Sequence, residues 1–258
     1  MIMQPRMPQK LIDTIVHEVV DTASLKACSL APSNFRVVSQ RILLGSVKLC
    51  RLPRNYRALC WLLSESPHIT TYITTFHIQI TPSKVPLPAY HMRELLDNPK
   101  LMNVRHCIIT GNSPGTTWGE RDSILLMVPY SMVALFVSSA PALIFDNVFV
   151  ITDDDTVSAE GTVVMSELLL CEKSESICEL LGRPEFSHYA ANLRRLALRA
   201  YYRYSGGIIS AAACTLEHLR FECESQSLVG AFMPTFPSLS TPTPLRTIDL
   251  VASIYAEP

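Results

Sequence analysis

The sequence predicts an α/β protein: a short helical module at the N-terminus, then an array in which strands and helices alternate. Three observations lead there. The stretch MPQKLIDTIVHEVVDTASLKACSLAPSNF, Met7 to Phe35, carries its apolar residues in two short helical rhythms parted by Asp21-Thr22. Farther on, the pattern L-x-x-L-x-L, with other aliphatics or Phe in its places, recurs along the chain. Between the recurrences lie stretches of helical character, and alternating helix and strand implies a parallel sheet with helices packed on it.

In the opening hairpin, Pro8 suits a first helical turn, and Leu11, Ile12, Ile15, Val16 and Val19 form an apolar stripe. Asp21 or Thr22 can cap a second helix presenting Leu25, Cys28 and Leu30. Ser33 can cap a third, with Phe35, Val38, Ile42 and Leu43 as its apolar face, and Gly45 can end it, leaving SVKLCRL as an extended exit. YRALCWLLSESPHI reads as a helix stopped before Pro67, because a residue preceding proline avoids the helical region. YITTFHIQI alternates apolar and polar residues and reads as a strand.

The recurring pattern places inward-facing triples at Ile73/Phe76/Ile78, Val104/Cys107/Ile109, Phe145/Val148/Val150 and Met165/Leu168/Leu170. It continues as Leu193/Leu196/Leu198, Leu216/Leu219/Phe221 and Leu245/Ile248/Leu250, the last three reading LRRLAL, LEHLRF and LRTIDL. Intervals of roughly 20–40 residues suit one strand and one helix per unit. A strand of this kind sends several aliphatics inward, and a neighbouring unit must stack on it before they are buried. AYHMRELLDN, ERDSILLMVPYSMVALFVSS, ESICELLGRP and GIISAAACTL supply the helices; MPTFPSLSTPTPL reads as an inter-repeat loop. Because a solenoid usually carries a polar terminal cap, an ending at SIYAEP implies a short array or a partial product.

Composition narrows the function classes. Of 258 residues, 48% are hydrophobic and 17% charged, with net charge −1, so neither disorder nor a nucleic-acid or membrane-surface electrostatic footprint is expected. So little charge suits a protein that lives in a complex. The eight cysteines form no C-x-x-C pair, which argues against zinc, and most sit in apolar runs where Cys acts as a small core residue. No apolar signal segment opens the chain, so the reading is reduced thiols in cytosol or nucleus. Ile124 to Phe145 is uncharged and long enough to span a bilayer, but Pro129, Pro141 and three serines interrupt it; it reads as a buried helix, a turn at Ser139–Pro141 and a buried strand.

Motifs for catalysis are incomplete. GNSPG, Gly111 to Gly115, matches the nucleophile elbow G-x-S-x-G and makes Ser113 the tempting nucleophile of a serine hydrolase. The elbow, however, uses the N–H of the residue after the serine, and here that residue is Pro114, which has none. Asp153-Asp154-Asp155 reads as a solvated turn, the seven histidines are scattered singly, and no glycine-rich phosphate loop is present, so no cofactor or metal is expected. Leu193 to Tyr204 mixes four arginines with three tyrosines, a composition that could stack bases, but alternate exposure on one strand and its loop explains it as well.

Taken together, M-P-Q-K-L-I-x-x-I-V, then S-L-K-A-C-S-L, then Phe35, resemble an F-box-like domain of the fungal, mushroom-type kind. The match covers about residues 7–50, and K-A-C-S-L is its most specific part. LLSESPHITTYITTFHI is similar to the segment that follows the F-box in those proteins, where leucine-rich-repeat-like strands and helices continue the chain. The resemblance implies an F-box-like module over 1–50 and an irregular leucine-rich-repeat-like region over 51–258. It implies docking on a Skp-family adaptor within a cullin-type ubiquitin ligase, with an unknown target protein on the repeats and no catalysis in the chain itself. The adaptor contacts it implies are Met7, Pro8, Leu11, Ile12, Ile15, Val16, Leu25, Cys28, Ser29, Leu30 and Phe35. Three residues depart from the family pattern: Lys10 stands where Glu is usual, Phe35 where Trp is usual and Met7 where Leu is usual. The alternative is an interaction repeat domain with no ligase role.

Overall fold

The structure is a computed structural model and describes residues 7–31, 33–50, 54–80, 103–111, 126–151, 163–171, 173–199, 205–223 and 244–252. It opens with three helices, α1 (Gln9–His17), α2 (Thr22–Leu30) and α3 (Ser33–Leu44). Asp21 caps α2, its carboxylate accepting the backbone N–H of Ser24 at 2.8 Å. That satisfies one donor that every helix start leaves unpaired. Ile12, Val16, Leu25 and Val38 are buried together, with Val19, Phe35, Ile42 and Leu43 packed around them. These helices therefore hold an apolar cluster of their own.

A mixed α/β region with a parallel sheet follows: β1 (Ser46–Cys50), α4 (Arg54–Glu65), a 3-10 turn (Pro67–Thr71), β2 (Thr75–Ile80) and β3 (His106–Gly111). Next come β4 (Leu126–Pro129), α5 (Tyr130–Ser139), β5 (Ala142–Asp146), β6 (Val148–Ile151), β7 (Glu167–Leu170) and α6 (Glu175–Leu181). A second 3-10 turn (Pro184–Phe186), α7 (Ser187–Ala190), β8 (Arg195–Leu198), α8 (Ser205–Ala211), β9 (His218–Cys223) and β10 (Thr247–Ala252) complete the described elements.

Eight strands form one sheet in the order β1-β2-β3-β5-β7-β8-β9-β10, every pair parallel, and β4 pairs β6 separately. The sheet thus follows chain order without a reversal. Parallel crossovers take one hand almost without exception, so a sheet grown this way collects its crossover helices on one face. The packing agrees: Leu63 of α4, Phe136 of α5, Ile177 and Leu181 of α6 and Ile208 of α8 share one core with the inward strand residues.

Register makes the repeat explicit. Val47, Phe76, Cys107, Leu143, Leu168, Leu196, Leu219 and Ile248 stand side by side across the eight strands. Two residues on, Leu49, Ile78, Ile109, Phe145, Leu170, Leu198, Phe221 and Leu250 form a second row. Neighbours along the first row lie from 23 residues apart, Leu196 to Leu219, to 36 apart, Cys107 to Leu143. From β2 to β9 both rows are buried.

Two expectations need correction. SVKLCRL is no simple exit: Ser46–Cys50 is the first strand, and Leu44/Val47/Leu49 make the first triple. The triple assigned to Phe145/Val148/Val150 is out of register, because Leu143, not Val148, pairs with Leu168; Ala140/Leu143/Phe145 is the unit, and Val148 and Val150 belong to β6. The uncharged run keeps the expected order of helix (α5), break around Pro141 and strand (β5), with β4 added ahead of the helix; among the described residues no helix is long and apolar enough to cross a membrane.

Side chains finish the joints. Asn147, at φ 58, occupies the left-handed region between β5 and β6, and its amide donates to Gly111 O at 3.1 Å. The β6 amides of Val148 and Val150 are received by the hydroxyls of Ser174 and Ser176 at 3.4 and 2.8 Å. Gly182, after α6, and Gly207 in α8 touch so closely that a Cβ on Gly207 would stand 2.7 Å from the carbonyl oxygen of Gly182.

Candidate protein-docking surface

The residues implied as adaptor contacts divide by burial. Ile12, Val16 and Leu25 lie in the helical cluster at 2%, 1% and 6% exposure, beyond the reach of a partner. Phe35 packs partly against that cluster, and Cys28 and Ser29 are half-buried. Met7, Pro8, Leu11, Ile15 and Leu30 are exposed. One helix side therefore holds the hairpin together and the other faces outward. Leu11 and Ile15 stand at i, i+4 spacing, which aligns them along α1, and exposed Met7 lies just before the helix. Two further exposed apolar residues escaped the sequence reading, Val20 and Val37. Val37 sits beside buried Val38, and helical phase on α3 is the signal that could have separated them.

Among the described residues, six large apolar side chains between Met7 and Val37 are left exposed, uncovered apolar surface of the kind that marks contact with another protein. Exposed Lys10, Thr14 and Glu18 lie along the same module.

The sheet face opposite the core presents a different surface. Lys48, His77, Ile108, Ile144, Leu169, Ala197, Arg220 and Asp249 run across it in register, polar at both ends and apolar in the middle. Its later strands carry ion pairs: Arg195 with Glu167 at 3.5 Å, and Arg199 and Arg220 both on Glu222 at 2.7 and 2.8 Å. All three guanidinium groups are about half exposed, so these pairs fix side-chain direction more than they stabilise the fold.

Groups with chemical potential are muted where the structure describes them. Burial pushes the thiols of Cys107 and Cys178 up to about 12 and that of Cys171 to about 11, so none of the three is a thiolate near neutral pH. The His77 imidazole is held below its ordinary pKa by burial and by the charge of Lys48, and it meets Thr110 Oγ1 at 3.0 Å. Among the described residues no three His, Cys, Asp or Glu side chains gather as metal ligands would. Ser113, the run Asp153–Asp155, and Arg203 with its neighbouring tyrosines lie outside the described residues. Comparison with protein-family models, with curated proteins and with solved structures returned no match to this chain.

Proposed function

We propose that this chain is a non-enzymatic recognition subunit of a cullin-type ubiquitin ligase. In this reading α1–α3 form an F-box-like module that docks on a Skp-family adaptor, and the strand-helix units form a leucine-rich-repeat-like array that presents its open face to a target protein. One observation carries the reading. A three-helix module with its own small core leaves Leu11 and Ile15 of α1, and Met7 just before it, uncovered. Exposed apolar surface of that kind marks contact with another protein, and the opening motif resembles a family whose members bind an adaptor there. The free, largely packed cysteines suit the reducing compartments, cytosol or nucleus, in which such ligases work.

Co-purification tests the proposal. The wild-type chain is expected to retain a Skp-family adaptor, and Leu11→Asp combined with Ile15→Asp is expected to release it while the chain stays folded. Failure of the wild type to retain any such adaptor overturns the reading and leaves a repeat domain with no ligase role.

A further inference from the structure

Alternation along β8 sends Leu196 and Leu198 into the core and leaves Arg195, Ala197 and Arg199 on the open face of the sheet. Beside Ala197 stand Leu169 of β7 and Arg220 of β9. Strand geometry sets Arg220 about 5 Å from Ala197 across the sheet, and Arg195 and Arg199 about 7 Å away along β8. The floor of this place is a methyl group; its rim is three guanidinium groups and one leucine.

The rim is held in position. Glu222 accepts Nε of Arg199 on one carboxylate oxygen at 2.7 Å and Nε of Arg220 on the other at 2.8 Å, while Glu167 meets Arg195 at 3.5 Å. Arg199 also hydrogen-bonds the Cys171 thiol. A guanidinium carries five N–H donors, so contacts made through Nε leave Nη donors to spare on side chains that are about half exposed. Three positive charges here meet two negative ones, and one positive charge is left unmatched. The next acids, Asp146 and Asp249, stand two strands from β8, at least about 10 Å from Ala197, a separation over which salt largely screens exposed charges. From the other side the apolar row Ile108, Ile144 and Leu169 runs up to Ala197.

We propose that the notch over Ala197 receives one carboxylate of the target protein, an Asp or Glu side chain next to an apolar residue that lies on the Ile144–Leu169 row. A carboxylate matches the paired N–H groups of guanidinium, and its single charge is the one the patch lacks. A doubly charged phosphate would set its second charge against Glu167 and Glu222. This inference rests on the part of the reading above that gives the open face to a target, and not on adaptor docking.

The test is an NMR titration of the full chain with the capped peptide Leu-Glu-Leu-Glu-Leu and with its Gln and Lys counterparts. The Glu peptide is expected to move the signals of Arg195, Ala197, Arg199 and Arg220 and to bind about fivefold tighter than the Gln peptide. That advantage should vanish in about 1 M salt, where the screening length falls to about 3 Å. Arg220→Gln, or Arg195→Gln, should abolish it, and Lys48→Gln, at the far end of the same face, should leave it unchanged. Equal affinity for the Glu and Gln peptides, an equal loss from Lys48→Gln, or tighter binding of a single-stranded oligothymidylate at the same salt would overturn the inference. No readout involves the adaptor, so this titration and the co-purification above can fail separately.

Discussion

The helical module and the sheet both space apolar residues regularly, and they use that spacing in opposite ways. In the sheet, the rows through Phe76 and Ile78 are buried from β2 to β9, each strand covering its neighbours and the helices covering the rest. On α1, Leu11 and Ile15 keep the helical spacing and remain in solvent. Periodicity therefore reports a surface that needs cover; whether the same chain supplies it depends on what the topology stacks there.

The largest effect expected of breaking this contrast is in the sheet. Phe145→Ala empties a site that is fully buried between β5 and α5, where Phe136 meets it edge-on, and should cost about 3–5 kcal/mol in denaturant unfolding. Gly207→Ala comes next. Alanine ordinarily favours a helix over glycine, but here its Cβ would press on the Gly182 backbone, so a loss of about 1–3 kcal/mol is expected where a surface helix would gain. At the small end, Leu11→Ala should shift stability by no more than about 0.5 kcal/mol, despite removing a leucine from an apolar stripe.

A pH titration sharpens the module side of the comparison. Hydrogen bonds from Ser24, through its side chain first and its backbone second, hold the Asp21 carboxyl below its ordinary value of 3.8. A depressed folded pKa means stability that is present above the unfolded value and lost as pH falls through the folded one. The α2 amide signals in an NMR titration should therefore begin to change as pH drops below 3.8, and Asp21→Ala should remove that transition.

Much of the fold was legible from the residues. The triples at Ile73, Leu193 and Leu216 keep a polar or small residue between the inward pair, those at Val104 and Met165 carry Ile108 and Leu169 there, and the register of all five across the sheet is the one the pattern implies. Two units were hidden for physical reasons. Leu44/Val47/Leu49 begins in the last turn of α3, so its first member reads as helix. Ala140/Leu143/Phe145 opens with a small residue inside a run apolar on every side, where no period of two can be seen. The candidate site was legible only in part. The apolar positions of α1 were identifiable, but which of them face inward depends on where α2 and α3 pack, and that divides Ile12 and Val16 from Leu11 and Ile15. The final triple, Leu245/Ile248/Leu250, fits the pattern, yet Ile248 and Leu250 are exposed, because burial of a repeat row needs a neighbour and the pattern does not say whether one follows.

The proposed function requires that another protein cover the outward side of α1. Its most direct test is photo-crosslinking of the full chain to a Skp-family adaptor, with the reactive residue placed at position 11 and, as a control, at exposed position 164 of the sheet region. A crosslinked adaptor is expected from position 11 and none from position 164. Equal crosslinking from both, or none from position 11 under conditions where the adaptor is bound, would contradict it.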